Sequence, residues 1–196
     1  MNDPAIAGLI LSGGASHRMG TPKALLTTGG QTFADRLIDI FAATCSPVIL
    51  VLGHDADRIL PGIRRVRQTQ LVVNPDPERG MLSSLQCGLR LVSAEAVIFT
   101  PVDYPTILSS TLTAIARAFA KHHAPVTIPR YEGQRGHPVC ISRQVVAELL
   151  ALPVTAQASD ITRAYRDVTQ FVEVDDAGIV RDIDCPADYR ALQEAT

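Results

Sequence analysis

The chain has no excess of charge of either sign: 18 lysines and arginines stand against 20 aspartates and glutamates. A formal charge of −2 gives no global field to draw in nucleic acid or an anionic membrane. Affinity for a polyanion must then come from a few placed cations, backbone amides or a bound metal, which points to loops. Long apolar runs are also lacking, and nothing approaches the roughly 18 consecutive apolar residues of a membrane span. The opening Met1-Asn2-Asp3-Pro4 has no basic segment, and the apolar run Ala5 to Leu11 is too short for an export signal. No Cys-x-x-Cys pair occurs among the four cysteines, Cys45, Cys87, Cys140 and Cys185. Such scattered thiols are expected to be reduced and packed as small apolar groups, which suits a cytoplasmic protein. Zinc-ligand spacing, a Ser-His-Asp order, internal repeats and low-complexity linkers are all missing.

What is present is an alternation of two periods. Ile6 to Leu11, Val48 to Leu52, Leu71 to Val73, Ala96 to Phe99 and Pro125 to Ile128 read as short buried strands. Between them, Phe33, Leu37, Ile40 and Phe41 recur at helical spacing. So do Leu82, Leu85, Leu89 and Val92, and then Leu112, Ile115, Ala116 and Phe119. Strands alternating with helices predict an α/β protein with a mostly parallel sheet covered on both faces. After Pro129 the pattern becomes hairpin-like. One hairpin is expected over Tyr131 to Ile141, and a second over Phe171 to Val174 and Ile179 to Ile183. With 196 residues and 46% hydrophobic content, one domain spanning 1–196 is expected.

In such a sheet, ligands bind where loops leave the carboxyl ends of strands. The first strand releases Leu11-Ser12-Gly13-Gly14-Ala15-Ser16-His17-Arg18-Met19-Gly20-Thr21-Pro22-Lys23. Gly13 and Gly14 allow close approach of backbone amides to an anion. Arg18 offers a planar fork for phosphate oxygens, and Lys23 a point charge. This is neither a Walker A loop, which needs Gly-Lys-Ser/Thr, nor a dinucleotide fingerprint, which needs G-x-G-x-x-G.

Asp103, in Thr100-Pro101-Val102-Asp103-Tyr104-Pro105, is a carboxylate at a strand's carboxyl end and is suited to hold Mg2+. Asp182 and Asp184 are expected to leave a late strand, Ile179 to Ile183, on one shared face. After the turn Asn74-Pro75-Asp76-Pro77-Glu78-Arg79-Gly80 a helix begins, and its free amides, the Asn74 amide and the hydroxyls of Ser83 and Ser84 offer polar groups for the edges of a base. Arg135 and His137, in Gly133-Gln134-Arg135-Gly136-His137-Pro138, bring a cation and an imidazole to the rim. Transfer to an acceptor phosphate needs no activated serine or cysteine, because that nucleophile is already anionic; positioning and charge neutralisation suffice.

Taken together, these stretches resemble the molybdenum cofactor nucleotidyltransferase family (MobA-like NTP transferases), above all its cytidylyltransferase branch. The matching segments are Leu11 to Lys23, Asn74-Pro75 with Gly80-Met81 and Ser84, Pro101-Val102-Asp103, and Arg135-Gly136-His137-Pro138-Val139. Asp182-Ile183-Asp184-Cys185-Pro186-Ala187-Asp188-Tyr189 matches the family's closing segment. The resemblance implies a Rossmann-like three-layer α/β/α sandwich of the nucleotide-diphospho-sugar transferase type. It implies Mg2+ on Asp103 with Asp182 or Asp184, and a triphosphate on Arg18 and Lys23. The base would lie near Gly80, Met81 and Ser84, and the acceptor near Arg135 and His137. The implied reaction joins CMP from CTP to the terminal phosphate of molybdopterin, with a molybdenum hydroxylase as a possible recipient of the product. Ser12-Gly13-Gly14 stands where cytidylyl members carry Ala-Ala-Gly and guanylyl members Ala-Gly-Gly, so GTP stays open as the donor. Another small phosphate acceptor, or a non-catalytic nucleotide-binding or cofactor-insertion protein, are the remaining alternatives.

Overall fold

The computed structural model describes residues 4–153 and 155–195. The Met1-Asn2-Asp3 stretch read above for an export signal lies outside the described residues. The elements in chain order are β1 (Ile6–Ser12), β2 (Thr27–Thr28), β3 (Gln31–Thr32), α1 (Phe33–Ala42), β4 (Val48–Leu52) and α2 (Ala56–Ile59). Next come β5 (Gln70–Val73), α3 (Met81–Leu89), β6 (Ala96–Pro101), α4 (Ser109–His122), β7 (Val126–Tyr131) and β8 (Gln134–Arg135). The remainder are β9 (Val139–Ser142), α5 (Arg143–Ala151), α6 (Ala158–Ala164), β10 (Gln170–Glu173) and α7 (Pro186–Glu194).

The main sheet runs β10-β7-β9-β6-β1-β4-β5, with β8 paired to β7. β1 is parallel to both β4 and β6, and β4 to β5. β9 runs antiparallel between β6 and β7. The sheet is therefore mostly parallel with one reversed strand near its middle. Alternation along β1 sorts its side chains: Ile6 and Ile10 join one core layer, Ala7, Leu9 and Leu11 the other. Phe33, Leu37, Phe41, Leu112, Ile115, Phe119 and Leu192 bring α1, α4 and α7 to the first face. Leu82, Leu85, Leu89, Val145, Val146 and Leu149 bring α3 and α5 to the second. The result is the expected three-layer α/β/α sandwich.

The second predicted hairpin is not formed. β10 pairs with β7 in parallel at the edge of the sheet. The chain then enters a 3-10 turn, Ala177–Val180, and reaches α7 without a further strand. Asp176 accounts for the turn, since its side chain accepts from Gly178 N at 2.9 Å and holds the backbone away from a strand path. Ile179 and Ile183, which mimic one face of a strand in sequence, are instead fully buried pegs in the core beside α1 and α4. The first hairpin does form, as β7 and β8, with the chain continuing into β9. Helix α3 stops at Leu89, short of Val92, which lies in the following turn.

β1 is the point where the order reverses, since β4 and β5 lie to one side of it and β6 to the other. Loops leaving β1 and β6 therefore diverge at neighbouring carboxyl ends and open a crevice. Close backbone contact fixes one wall: a Cβ at Gly53 would lie 2.7 Å from Gly13 O and 2.8 Å from Gly13 Cα. Gly53→Ala is therefore expected to destabilise the protein by about 1–3 kcal/mol, because backbone has to shift against backbone. Urea unfolding measures this, and an unchanged midpoint would mean that the two loops are not held together.

Candidate active site

The crevice holds a cavity of about 370 Å3 lined by the β1 loop, the start of α3, the β6 loop and Asp184. Its floor is built by glycine and serine. Gly13 is buried, and a Cβ there would lie 2.2 Å from Ser84 Oγ, so only glycine lets α3 pack this close to the loop. Gly14 is exposed and nothing crowds it. Gly80 caps α3 with φ +82°, which the absence of a Cβ permits, and it leaves the first α3 amides without a side-chain cap.

Asn74 was expected to face a ligand, but the structure uses it as a clamp behind the wall. It is 3% exposed and does not line the cavity. Its Nδ2 donates to Ser84 Oγ at 3.0 Å, and its Oδ1 accepts from Asp76 N at 3.0 Å and Ser83 Oγ at 3.2 Å. Asn74 thereby ties the β5 exit to the start of α3. Of the residues expected to bind a nucleotide, Leu11, Ser12, Gly13, Gly14, Gly80, Met81 and Ser84 border one cavity, which also takes in Arg18 and Lys23.

The charged centre is Lys23. Its Nζ donates to Asp103 Oδ2 at 3.0 Å and also to Asp184 Oδ1. Arg18 Nη2 donates to Asp184 Oδ2 at 2.7 Å. Four groups from three chain regions thus form one chain of alternating charge. Burial works against the Lys23 charge, but the bonds and charges of Asp184 and Asp103 outweigh it and raise its pKa. Burial raises the Asp103 pKa, opposed by Lys23 and reinforced by the nearby Asp184 carboxylate. Asp184 is held below the usual range by the Lys23 hydrogen bond, against some burial, with Arg18 adding to the effect.

Asp182 and Asp184 do not share a face as a strand would require. Asp184 meets Lys23 and Arg18, whereas Asp182 is exposed, does not line this cavity, and acts through its charge on Tyr104 and His137. The donor set fits a hard divalent cation. Asp103 Oδ1 is buried without a hydrogen-bond partner, and Asp184 lies close enough to be felt by Asp103. No group of three or more His, Cys, Asp or Glu forms a metal cage among the described residues. Two carboxylates leaving the other positions to water and phosphate oxygens are what Mg2+ or Mn2+ sites in phosphate chemistry use.

Arg135 and His137 line a second cavity of about 320 Å3 with Leu85, Phe99, Tyr104 and Ile128. Met81, 53% exposed, borders both cavities. The His137 ring lies 4.8 Å from the Tyr104 ring and 6.1 Å from Phe99. Tyr104, which sequence reasoning passed over, has its pKa pushed up to about 12 by burial and by the charges of Asp182, Asp103 and Asp184. Its position directly after Asp103 was the available signal.

The family model described as "MobA-like NTP transferase domain" matches residues 8–169. The chain belongs to this family. It is similar to "Molybdenum cofactor cytidylyltransferase" of Escherichia coli (strain K12), with 26% identity over 191 residues, 97% of this chain and 96% of that protein. It is 25% identical to "Probable molybdenum cofactor guanylyltransferase" of Mycobacterium ulcerans (strain Agy99), covering 95% of this chain and 92% of that protein. Among solved structures, Rv0371c from Mycobacterium tuberculosis H37Rv matches with a TM-score of 0.86 at 30% identity, over 99% of this chain and 100% of that one. A complex of Rv0371C with manganese matches with a TM-score of 0.82 at 27% identity, over 98% and 100% of the two chains. The fold is thus the nucleotide-diphospho-sugar transferase type expected for a MobA-like nucleotidyltransferase. No helix among the described residues is long and apolar enough to cross a membrane.

His137 gives the site a pH dependence with a definite sign. Burial lowers its pKa to about 4, against a hydrogen bond to the Phe99 main chain and the charge of Asp182. The unfolded chain takes up this proton near about pH 6.5. Between these values the unfolded state binds more protons, so this group's contribution to stability falls as pH drops through that window. Ring-nitrogen NMR shifts of His137 are expected to stay in the neutral range down to about pH 5. A ring that titrates as a free histidine would contradict its placement against Phe99 and Tyr104.

Proposed function

We propose that this MobA-like nucleotidyltransferase transfers CMP from CTP to the terminal phosphate of molybdopterin, releasing pyrophosphate. The observation that carries the proposal is the Arg18–Asp184–Lys23–Asp103 chain at the mouth of a cavity walled by free α3 amides. The metal in this reading is Mg2+, held by Asp103 and Asp184. When bound, it supplies charge neutralisation across the phosphate oxygens. The similarity to the E. coli cytidylyltransferase supports cytosine as the base. Gly13-Gly14 and the similarity to guanylyltransferases support GTP as the second reading. A molybdenum hydroxylase as recipient belongs to the same proposal.

The roles follow from placement. Arg18, whose side chain is 69% exposed, is free to exchange Asp184 for triphosphate oxygens. Lys23, held from both sides, presents a fixed positive charge where the β-phosphate would leave. The Met81 amide at the start of α3 would face the nucleotide, and the glycine floor keeps side chains out of its path. On the far side of Met81, the second cavity with Arg135 and neutral His137 takes the acceptor. An acceptor phosphate oxygen entering from there attacks the α-phosphorus in line with the departing pyrophosphate. The new P–O bond forms as the bond to the β-phosphate oxygen breaks.

Pyrophosphate release, assayed with each of the four nucleotides and with molybdopterin, tests the proposal. CTP with Mg2+ is expected to be the preferred donor, and Asp103→Asn to lower turnover by about 100-fold or more while the protein stays folded. Full turnover in Asp103→Asn would remove the metal assignment. Preference for GTP would shift the base, and release only with another phosphate acceptor would shift the substrate.

A further inference from the structure

Asp176 is a buried carboxylate, 4% exposed, with no ion pair to a cation among the described residues. A lone buried charge is costly unless several donors meet it. Here three do. Oδ2 accepts from Leu108 N at 2.8 Å and Thr111 Oγ1 at 2.6 Å, and Oδ1 accepts from Gly178 N at 2.9 Å. Leu108 is the N-cap of α4 and has no capping side chain of its own. Asp176 therefore caps α4 from a distant part of the chain, at the helix end where negative charge is favoured. Gly178 seals the joint, since a Cβ there would lie 2.5 Å from Thr106 O.

The segment fixed by this joint continues to both sides of the site. Ile179 O accepts from His137 N at 2.9 Å, and a Cβ at Gly136 would lie 2.0 Å from that same oxygen. Ile183 N donates to Asp103 O at 2.8 Å. The next residue, Asp184, bonds Lys23 and Arg18. Ile179 and Ile183 are both fully buried, so the backbone between them has little freedom to drift.

We propose that Asp176 is a positioning residue of the transfer reaction, setting Asp184 on the metal side and His137 on the acceptor side through one anchored segment. Neither carboxylate oxygen of Asp176 reaches the cavity, and its effect passes through the backbone of Gly178 to Ile183. Asparagine at this position keeps the shape but has only one acceptor oxygen for three donors. The turn at Gly178 or the cap at Leu108 must then loosen, and Asp184 and His137 loosen with it.

The proposal rests on the metal-assisted reading above, and a test with Mn2+ as probe and no nucleotide separates the two. Mn2+ titration by electron paramagnetic resonance is expected to show about tenfold or greater loss of affinity in Asp176→Asn. The His137 ring resonances should shift in the same variant. Thr111→Val, which removes one of the three bonds, should lose several-fold, and Thr111→Ser should recover wild-type affinity. If Asp176→Asn does not fold, the Thr111 pair decides. Ile115→Val, in the core of α4, serves as a control that lowers stability without altering Mn2+ affinity. Wild-type Mn2+ affinity and unshifted His137 resonances in folded Asp176→Asn and Thr111→Val would reduce Asp176 to a helix cap and overturn the proposal. A wild-type protein that binds no Mn2+ would overturn the metal reading along with it.

Discussion

The Lys23 ammonium lies between two carboxylates that reach it from distant parts of the chain, Asp103 from the end of β6 and Asp184 from the approach to α7. Burial raises the Asp103 pKa, and repulsion between two carboxylates this close adds to it. The lysine is what allows both to remain ionised, and the carboxylates in turn keep a partly buried lysine charged. Each of the three groups makes the position of the other two tolerable. The β1 loop, the β6 loop and the final segment are thereby gathered at one point of the crevice, and Arg18 extends the chain of charge to the surface. A divalent cation and a triphosphate would enter this same balance, with positive charge offered to the carboxylates and negative charge to Arg18 and Lys23.

That balance depends on backbone that cannot be displaced. Ser84 sits under Gly13, Gly13 sits against Gly53, and Asn74 uses both ends of its amide to hold Ser84 and the α3 entry. The floor is therefore shaped by the absence of side chains at Gly13 and Gly53, and α3 meets it with its unfilled amides. Net charge plays no part in attracting the nucleotide in this scheme. A chain with formal charge −2 handles a polyanion through local geometry, as its balanced composition requires.

Much of this was legible in the sequence because strand and helix periods are local properties. The apolar runs of β1, β4 and β6 and the helical recurrence over α1, α3 and α4 place the crevice without knowledge of any contact. The β1 loop announced its cations, and Asp103 its place at a strand end. The segment after β10 was misread because Ile179 and Ile183 also satisfy the period of a strand, while the deciding contacts lie about 70 residues away, at Leu108 and Thr111. Asn74 was misread for a similar reason. A polar residue at a strand's carboxyl end is free to face a ligand unless its neighbours engage it, and here Ser83, Ser84 and Asp76 take both ends of the Asn74 amide.

The two cavities differ in kind, and the difference bears on how transfer is ordered. The first is ringed by Lys23, Arg18, Asp103 and Asp184, and its bonds are those of charge with charge. The second is lined by Phe99, Ile128, Val139 and Ile141, with a neutral imidazole and one guanidinium at its polar edge. Met81 borders both, an unbranched side chain able to adjust as either cavity fills. An acceptor with a flat, weakly charged body and an anionic phosphate would lie with its body in the second cavity and its phosphate at the boundary. In the proposed transfer, the phosphate would there meet the positive side of the first cavity. In that proposal, the charge in one cavity and the apolar side chains of the other would select opposite ends of the same acceptor. Asp182, outside the Lys23–Asp103–Asp184 cluster, acts through its charge on Tyr104 and His137, on the side of the second cavity.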